Sequence, residues 1–393
     1  MIRKITIENF RSIKKQTVVL NKLTAIIGKN GSGKSNFISA ITLFKSLATG
    51  GDLDVIVNSK IAPLTAELFY FKDHQTDTKF EFTLTTREGN NFVFSYHIAH
   101  IKIAGALRIG IQNECLKKVD GQNEVIVYRR DRESAYVGET QNQIPFKIEP
   151  TRLMLSSYSD ENVIEVTKSI LTYTIIIDTI FDTKDGLNII QSNRPNTNTI
   201  DGVAISLLRK NHGRFDNAVK SIQKIIPGFI APSILTIDDK NIKGIDTIKP
   251  QDDEVKNYIV TWTDTAFPDK YSQISLSSGD RRVIHIIFSL FNTDEQSFMV
   301  IEEIENGMHY ERISKLIDEI RTQATNRKVQ LLFTTHSNEI LKGLTVPEVI
   351  YCKKDTDQGT TLIPISDTIE YETIKNDLRG DHSVADVLQS GLF

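Results

Sequence analysis

The stretch Gly28-Lys29-Asn30-Gly31-Ser32-Gly33-Lys34-Ser35 decides the fold, because it matches the phosphate-binding pattern Gly-x-x-x-x-Gly-Lys-Ser/Thr at every defined position. The apolar run 23–27 before it predicts a buried strand, and residues 36–41 after it predict the first turns of a helix. Glycines let successive backbone N–H groups point at one anion, and the helix N-terminus adds partial positive charge. This context predicts nucleotide binding.

Two side chains of the loop have distinct predicted roles. We expect Lys34 to place its ammonium on the β- and γ-phosphates, and Ser35 to offer its hydroxyl to Mg²⁺. The other predicted nucleotide contacts of this segment are Gly28, Asn30, Gly31, Ser32, Gly33 and Asn36.

A second motif is the apolar run 297–301, which leads into Glu302 and Glu303. Downstream of a phosphate loop, the first acid is expected to hold hydrated Mg²⁺ and the second to polarise the attacking water. The usual first residue is Asp, so the longer side chain of Glu302 must retract or act through water. The alternative is a solvated strand end with two ordinary acids.

A third motif, Leu276-Ser277-Ser278-Gly279, precedes a predicted helix over residues 283–291. Small residues at a helix N-terminus can cradle phosphate. Because the chain already has its own phosphate loop, this second cradle would serve the nucleotide of another subunit. The alternative is an ordinary helix cap.

The fourth motif is His336, which ends the predicted buried strand 329–335. It follows one strand after the acids, where it could contact a γ-phosphate. A lone histidine at a strand end is otherwise structural or solvated. We interpret His285 and His309, which lack such a position, as structural.

Composition limits the class of protein. The 393 residues carry a net charge of −3, so a global basic field for nucleic acid is absent. Two cysteines far apart in the chain disfavour a disulfide framework or a zinc site. No signal peptide or membrane span is apparent, so we expect no membrane partner and a cytoplasmic protein.

Patterns along the chain predict an α/β fold built from distant segments. Residues 55–150 are mostly β, and helical spacing begins near Val163. We predict an N-terminal head segment over 1–155, a mainly helical insertion over 156–264 and a C-terminal head segment over 265–393. Residues 349–362 favour a hairpin with a polar turn over a nuclease metal site.

In chain order, the four motifs resemble those of an ABC-type ATPase head. The opening Ile7-Glu8-Asn9-Phe10-Arg11-Ser12-Ile13 is similar to that of the SMC, RecF and OLD-like group. The run 302–309 also resembles that group, although Ile304 and Tyr310 stand where proline is usual. The motif resemblance covers about residues 1–50 and 270–345, and Gln75 is only a candidate for the glutamine loop.

The resemblance implies a P-loop NTPase with an N-terminal β-rich subdomain and a helical insertion. It also implies that two heads pair head to tail around two ATP molecules with Mg²⁺. In that arrangement Glu303 is the general base, His336 contacts the γ-phosphate and Arg11 lies near the nucleotide. Ser35 and Glu302 hold the metal, and Ser277, Ser278 and Gly279 face the partner's ATP.

The sequence motifs leave several alternatives for what the ATPase head would act on. OLD-like nucleases append a Toprim nuclease, for which residues 337–393 are too few, so we expect a standalone head. Such heads resemble the ATPase subunits of bacterial anti-phage systems, which act on a separate nuclease or toxin. The alternatives are a RecF-like DNA-binding ATPase in repair or recombination, a transporter subunit, and a scaffold without turnover. The DNA-binding alternative draws on the basic runs 129–132 and 117–118.

Overall fold

The computed structural model places Gly28–Ser35 where a strand gives way to a helix. The part of the chain that the structure describes is residues 1–58, 68–69, 76–103, 105–138, 143–144, 147, 149–176, 189–191, 196–238, 241–243, 257–266, 269–368 and 371–372. Gln75 lies outside these residues.

The described chain contains both helices and strands in every third of its length. The strands are β1 Ile2–Phe10, β2 Ile13–Val19, β3 Leu23–Ile27, β4 Thr78–Thr85, β5 Asn91–Ile103, β6 Ala106–Asp120, β7 Asn123–Arg130, β8 Ala135–Val137, β9 Gln143–Ile144, β10 Thr174–Ile176, β11 Ile189–Gln191, β12 Ser233–Asp238, β13 Asn241–Lys243, β14 Asn257–Thr261, β15 Phe298–Ile301, β16 Gln330–Thr335, β17 Val349–Asp355 and β18 Gly359–Pro364. The helices are α1 Lys34–Ala48, α2 Leu53–Asn58, α3 Glu161–Leu171, α4 Ile200–Lys210, α5 His212–Ile225, α6 Ser278–Asn292, α7 Tyr310–Arg327 and α8 Asn338–Leu341. The predicted α/β class is confirmed.

One sheet joins most of the strands, in the order β10-β15-β16-β3-β17-β18-β2-β1-β4-β5-β6-β7-β8-β9. Its first five strands run parallel, and the pairs from β17–β18 onward are antiparallel. Within this antiparallel part, β4 to β9 are the strands expected from the sequence of residues 55–150. β17 and β18 form the hairpin that was predicted over residues 349–362.

Burial of β3 on both faces explains why four of its five residues are apolar. Leu23, Ala25 and Ile27 face a core that they share with α4 to α7, whereas Ile26 faces the core around α1 and α3. A parallel strand covered by helices on both faces has no solvated side, so a mostly apolar run is favoured.

Helix α1 is fixed against the antiparallel subdomain by aromatic packing. The ring of Phe44 stacks on that of Phe82 in β4, with centroids 3.8 Å apart, and both rings are buried. The start of α1, and with it the phosphate loop, is therefore positioned by contacts far along the chain.

Residues 156–264 contain strands as well as the expected helices. β10 pairs with β15 in the main sheet, and β11-β14-β12-β13 form a second, antiparallel sheet. The β-branched residues Ile234, Ile237 and Val260 favour these strands. Helices α4 and α5 share one hydrophobic core with α6 and α7. The division of the chain at residues 155 and 264 stays a prediction.

A buried ion pair ties the antiparallel strands to the segment that follows them. Arg130 Nε lies 3.1 Å from Glu114 Oε2, and both side chains are buried. The Glu114 carboxylate also accepts the Tyr128 hydroxyl and the N–H groups of Met154 and Leu155, both at 2.8 Å. Burial raises the pKa of Glu114 despite the charge of Arg130.

Among the described residues, no helix is long and apolar enough to cross a membrane.

Replacing Arg130 with methionine should lower the free energy of unfolding by about 3–5 kcal/mol, because it leaves a buried carboxylate without its cation. The matched control is Lys117→Met, which breaks the exposed Lys117–Glu124 pair of the same two strands and should cost below about 1 kcal/mol. Urea unfolding at neutral pH measures both values. Equal losses in the two variants would contradict a structural role for the buried pair.

Candidate nucleotide site

Three parallel strands bring the predicted site residues to one edge of the sheet. In β16, Thr335 is paired with Ile27 of β3, and Phe333 is paired with Ile301 of β15. Because parallel strands present their carboxyl ends at the same edge, the residues that follow them leave the sheet together. These residues are Gly28, Glu302 and His336.

The phosphate loop holds its lysine against its own backbone. Lys34 is buried, and its Nζ donates to the carbonyl oxygens of Gly28 at 2.7 Å and Lys29 at 3.1 Å. Gly33 is the N-cap of α1 with φ of 107°, a left-handed conformation that favours glycine. Asn30 and Gly31 are exposed at the mouth of the loop.

The two predicted metal ligands are neighbours. The Ser35 hydroxyl lies close enough to the half-buried Glu302 carboxylate to favour its ionised form. Burial raises the pKa of Glu302 and the Glu303 carboxylate adds to the rise, whereas Ser35, Arg282 and Lys34 oppose it. A hydroxyl and one carboxylate suit Mg²⁺, which keeps several waters and takes few protein ligands.

Glu303 occupies a strained position on the loop after β15. Its φ is 47°, which is uncommon outside glycine, and its N–H donates to Thr334 Oγ1 at 2.9 Å. The guanidinium of the buried Arg282 donates to the backbone carbonyls of Glu302 and Glu303. The acidic loop is therefore held from β16 on one side and from α6 on the other.

His336 is oriented by a residue that the sequence did not single out. Glu305 Oε1 accepts the backbone N–H of His336 at 2.7 Å and lies 3.1 Å from its Nδ1. Glu305 is buried, whereas the His336 side chain is 48% exposed. The contact fixes the Nδ1 side of the ring and leaves Nε2 for another group. The sequence offered a signal for Glu305, because it lies in the acidic run 302–309 that also contains Glu302 and Glu303.

Arg11 lies at the start of α1. Its guanidinium donates to Asn36 Oδ1 at 3.3 Å and to Ser39 Oγ at 2.8 Å. Both partners belong to the first two turns of α1. The structure therefore brings Arg11 and Asn36 together beside the phosphate loop, while a direct nucleotide contact of either stays a prediction.

The third motif forms the exposed N-terminus of α6. Ser277 is the N-cap of α6, and its hydroxyl accepts the N–H of Asp280 at 3.0 Å. Ser277 and Ser278 are exposed, whereas Gly279 is buried. A Cβ on Gly279 would lie 2.6 Å from the carbonyl oxygen of Gly307, so this segment packs tightly on the acidic loop. A partner-facing role stays a prediction.

The two histidines expected to be structural have different surroundings. His285 is buried in α6, with Nε2 3.0 Å from the carbonyl oxygen of Thr197. His309 is the exposed N-cap of α7, and its ring lies 4.3 Å from that of Tyr310.

The sequence model of the AAA_21 family, described as "AAA domain, putative AbiEii toxin, Type IV TA system", matches residues 23–342. The chain belongs to this family. As an AAA_21 protein with a phosphate loop and an acidic strand end, it is a P-loop ATPase with the fold of an ABC-type ATPase head.

A curated relative and two solved structures agree with this assignment. An "ATP/GTP phosphatase" of Helicobacter pylori is 22% identical over 388 residues, which cover 94% of each chain. An SMC head bound to the C-winged helix domain of ScpA has a TM-score of 0.55 at 14% identity and covers 92% of this chain and 97% of its own. The Pyrococcus furiosus SMC head with an extended coiled coil has a TM-score of 0.51 at 13% identity and covers 96% and 99%. At these identities the two structures show a common fold.

Replacing Glu302 with glutamine should stabilise the nucleotide-free protein near neutral pH. Because the pKa of Glu302 is raised on folding, its ionised form opposes folding above the unfolded-state pKa, and an amide does not. The gain in thermal midpoint should therefore shrink as the pH falls toward about 4, where the carboxyl is protonated in both states. Thermal unfolding of both proteins across this pH range measures the effect.

The same variant should lose at least about tenfold of its metal-dependent ATP turnover. Glu133→Gln, the same chemical change at an exposed turn residue, should alter neither quantity. A lower thermal midpoint for Glu302→Gln at neutral pH, or a gain that does not vary with pH, would contradict this interpretation of Glu302.

Proposed function

We propose that this protein is a magnesium-dependent ATP switch in which two copies bind face to face around ATP and separate after hydrolysis. Each ATP would lie on Lys34 and Ser35 of one copy and face Ser277, Ser278 and Gly279 of the other. The conformational change would control a separate effector, which we place in anti-phage defence.

The placement of Ser35 beside Glu302, at the mouth of the phosphate loop, is the observation that supports magnesium-dependent hydrolysis. A metal held there would neutralise charge on the phosphates, which is its usual part in phosphoryl transfer. Glu303 follows Glu302 directly and would accept a proton from the attacking water. His336, held through Nδ1 by Glu305, would offer its exposed Nε2 side to the γ-phosphate.

Pairing of two copies is supported by the surroundings of the two phosphate-binding segments. The phosphate loop packs on the β17–β18 hairpin, where a Cβ on Gly28 would meet the Cys352 carbonyl oxygen at 2.1 Å. The α6 N-terminus instead packs on the acidic loop and leaves Ser277 and Ser278 exposed. An exposed helix N-terminus offers N–H groups and partial positive charge to an anion from another molecule.

Control of a separate effector is supported by the description of the family and by its structural relatives. The family description reads "AAA domain, putative AbiEii toxin, Type IV TA system", and the two SMC heads were solved with domains of ScpA. A head of this fold can therefore bind another protein. Binding and loss of ATP would supply the two states that such a partner distinguishes.

The basic runs that suggested DNA binding are engaged in contacts within the protein. Arg130 is buried with Glu114, and the Arg129 guanidinium lies 5.3 Å from the centre of the Tyr136 ring. Lys117 pairs with Glu124 at 2.8 Å. Binding to phosphates would have to compete with these contacts, so we favour the effector over direct DNA recognition.

Glu303→Gln should bind ATP, fail to hydrolyse it and accumulate as a dimer of twice 44.4 kDa in ATP and Mg²⁺. Light scattering after size-exclusion chromatography measures the mass, and phosphate release measures turnover. Lys34→Ala should stay monomeric because it loses the charge that binds the β- and γ-phosphates.

Ser278→Arg tests the second phosphate-binding segment. In the Glu303→Gln background it should still bind ATP but remain monomeric, because the new side chain occupies the surface that faces the partner's nucleotide. Asn217→Arg, the matched control on the exposed side of α5, should dimerise normally. A mass for the Glu303→Gln protein that is the same with and without ATP would refute the proposed switch.

A further inference from the structure

We propose that Thr360, in the β17–β18 hairpin, is a positioning residue for nucleotide binding, because its hydroxyl holds the phosphate loop and links it to Arg11. The inference concerns binding of nucleotide to one copy of the chain and does not depend on the proposed pairing of two copies. None of the four sequence motifs includes this residue.

Thr360 lies directly beneath the phosphate loop. It is fully buried, and its Oγ1 donates to the carbonyl oxygen of Ser32 at 3.0 Å. A Cβ on Gly33 would lie 2.0 Å from Thr360 Oγ1, so the loop backbone rests against this side chain. Cys352 Sγ approaches the same Ser32 carbonyl at 3.5 Å. The hairpin therefore fixes the position of the phosphate-loop backbone.

The Thr360 hydroxyl is also tied to the β1–β2 turn. Its oxygen lies 2.7 Å from Ser12 Oγ, and its backbone N–H donates to the Ser12 carbonyl at 2.6 Å. A hydroxyl has a single proton. Since Thr360 commits its proton to the Ser32 carbonyl, Ser12 must donate to Thr360.

The hydrogen bonds that lead to Thr360 begin at Arg11. Asn36 Nδ2 donates to Ser12 Oγ at 2.5 Å, and Arg11 donates to Asn36 Oδ1 at 3.3 Å. The chain of donors thus runs from Arg11 through Asn36, Ser12 and Thr360 to the backbone of the phosphate loop. Hydrogen bonds aligned in one direction polarise one another, and a buried member left without its partner is costly.

Residues that contact the nucleotide and the residue that positions the loop are therefore distinct. Lys34 and Ser35 meet the ligand, while Thr360 holds the loop in the geometry in which its N–H groups converge. Removing the hydroxyl should therefore weaken binding and raise KM more than it lowers kcat, because the loop meets substrate and product phosphates alike.

The test compares Thr360→Val, which keeps the shape and removes the hydroxyl, with Thr360→Ser, which keeps the hydroxyl. Calorimetric titration with Mg-ADP, a ligand that is not turned over, should give a Kd about five- to tenfold higher for the valine variant. The serine variant should stay within about twofold of the original protein. Steady-state ATP hydrolysis should show the change mainly in KM.

Thr361→Val is the matched control on the same strand. Thr361 is also buried, but its hydroxyl lies 3.4 Å from the Lys353 carbonyl, within the hairpin itself. It should leave the Kd for Mg-ADP within about twofold of the original. An unchanged Kd in Thr360→Val, or the same increase in Thr361→Val, would overturn the proposal.

Ser12→Ala provides a second, independent variant in case Thr360→Val does not fold. It removes the donor to Thr360 and should also raise the Kd for Mg-ADP, and in the double variant the two increases should not multiply. An unchanged Kd in Ser12→Ala, or fully independent effects in the double variant, would show that the hydroxyl chain does not position the loop.

Discussion

The parallel register of β15, β16 and β3 is the constraint on which the site depends. It brings the first residues after three strands to one edge, although they are separated by about three hundred residues in the sequence. The phosphate loop after β3 supplies the ammonium of Lys34 and the hydroxyl of Ser35. The loop after β15 supplies the two carboxylates, and His336 follows β16, which lies between β15 and β3. A different strand order would leave the same motifs too far apart to share one nucleotide.

Placing these charged side chains together at one edge of the sheet lowers the stability of the folded protein. Glu302 is half-buried beside Glu303, and its raised pKa reflects that cost. Glu303 and Arg11 have positive φ values of 47° and 51°, which the surrounding structure must enforce. Hydrogen bonds that Glu303 donates to Thr334, that Arg11 donates to Asn36 and that Arg282 donates to Glu302 supply part of that enforcement. Strain concentrated at one edge of a well-packed sheet is typical of a functional site.

The sequence predicted the features that have local or short-range causes. The loop at 28–35, the strand before it and the hairpin over 349–362 follow from glycine spacing, apolar runs and turn residues. Glu305 lies in the acidic run that the sequence singled out, but its contact with His336 could not be predicted, and Thr360 had no signature at all, since a buried hydroxyl has none until its partner is known. Likewise, Arg130 read as part of a basic surface run, and only the pairing of β6 with β7 places it beside Glu114 in the interior.

The central claim is that Ser35 and Glu302 hold one divalent cation on the phosphates of a bound nucleotide. The most direct measurement is a crystal structure of the protein with Mn²⁺ and a non-hydrolysable ATP analogue, with the metal located by its anomalous scattering. We predict a single manganese peak at about 2.1–2.2 Å from Ser35 Oγ, with the Glu302 carboxylate bound to it directly or through one water. A peak outside the reach of both side chains, with nucleotide present on the loop, would contradict the claim.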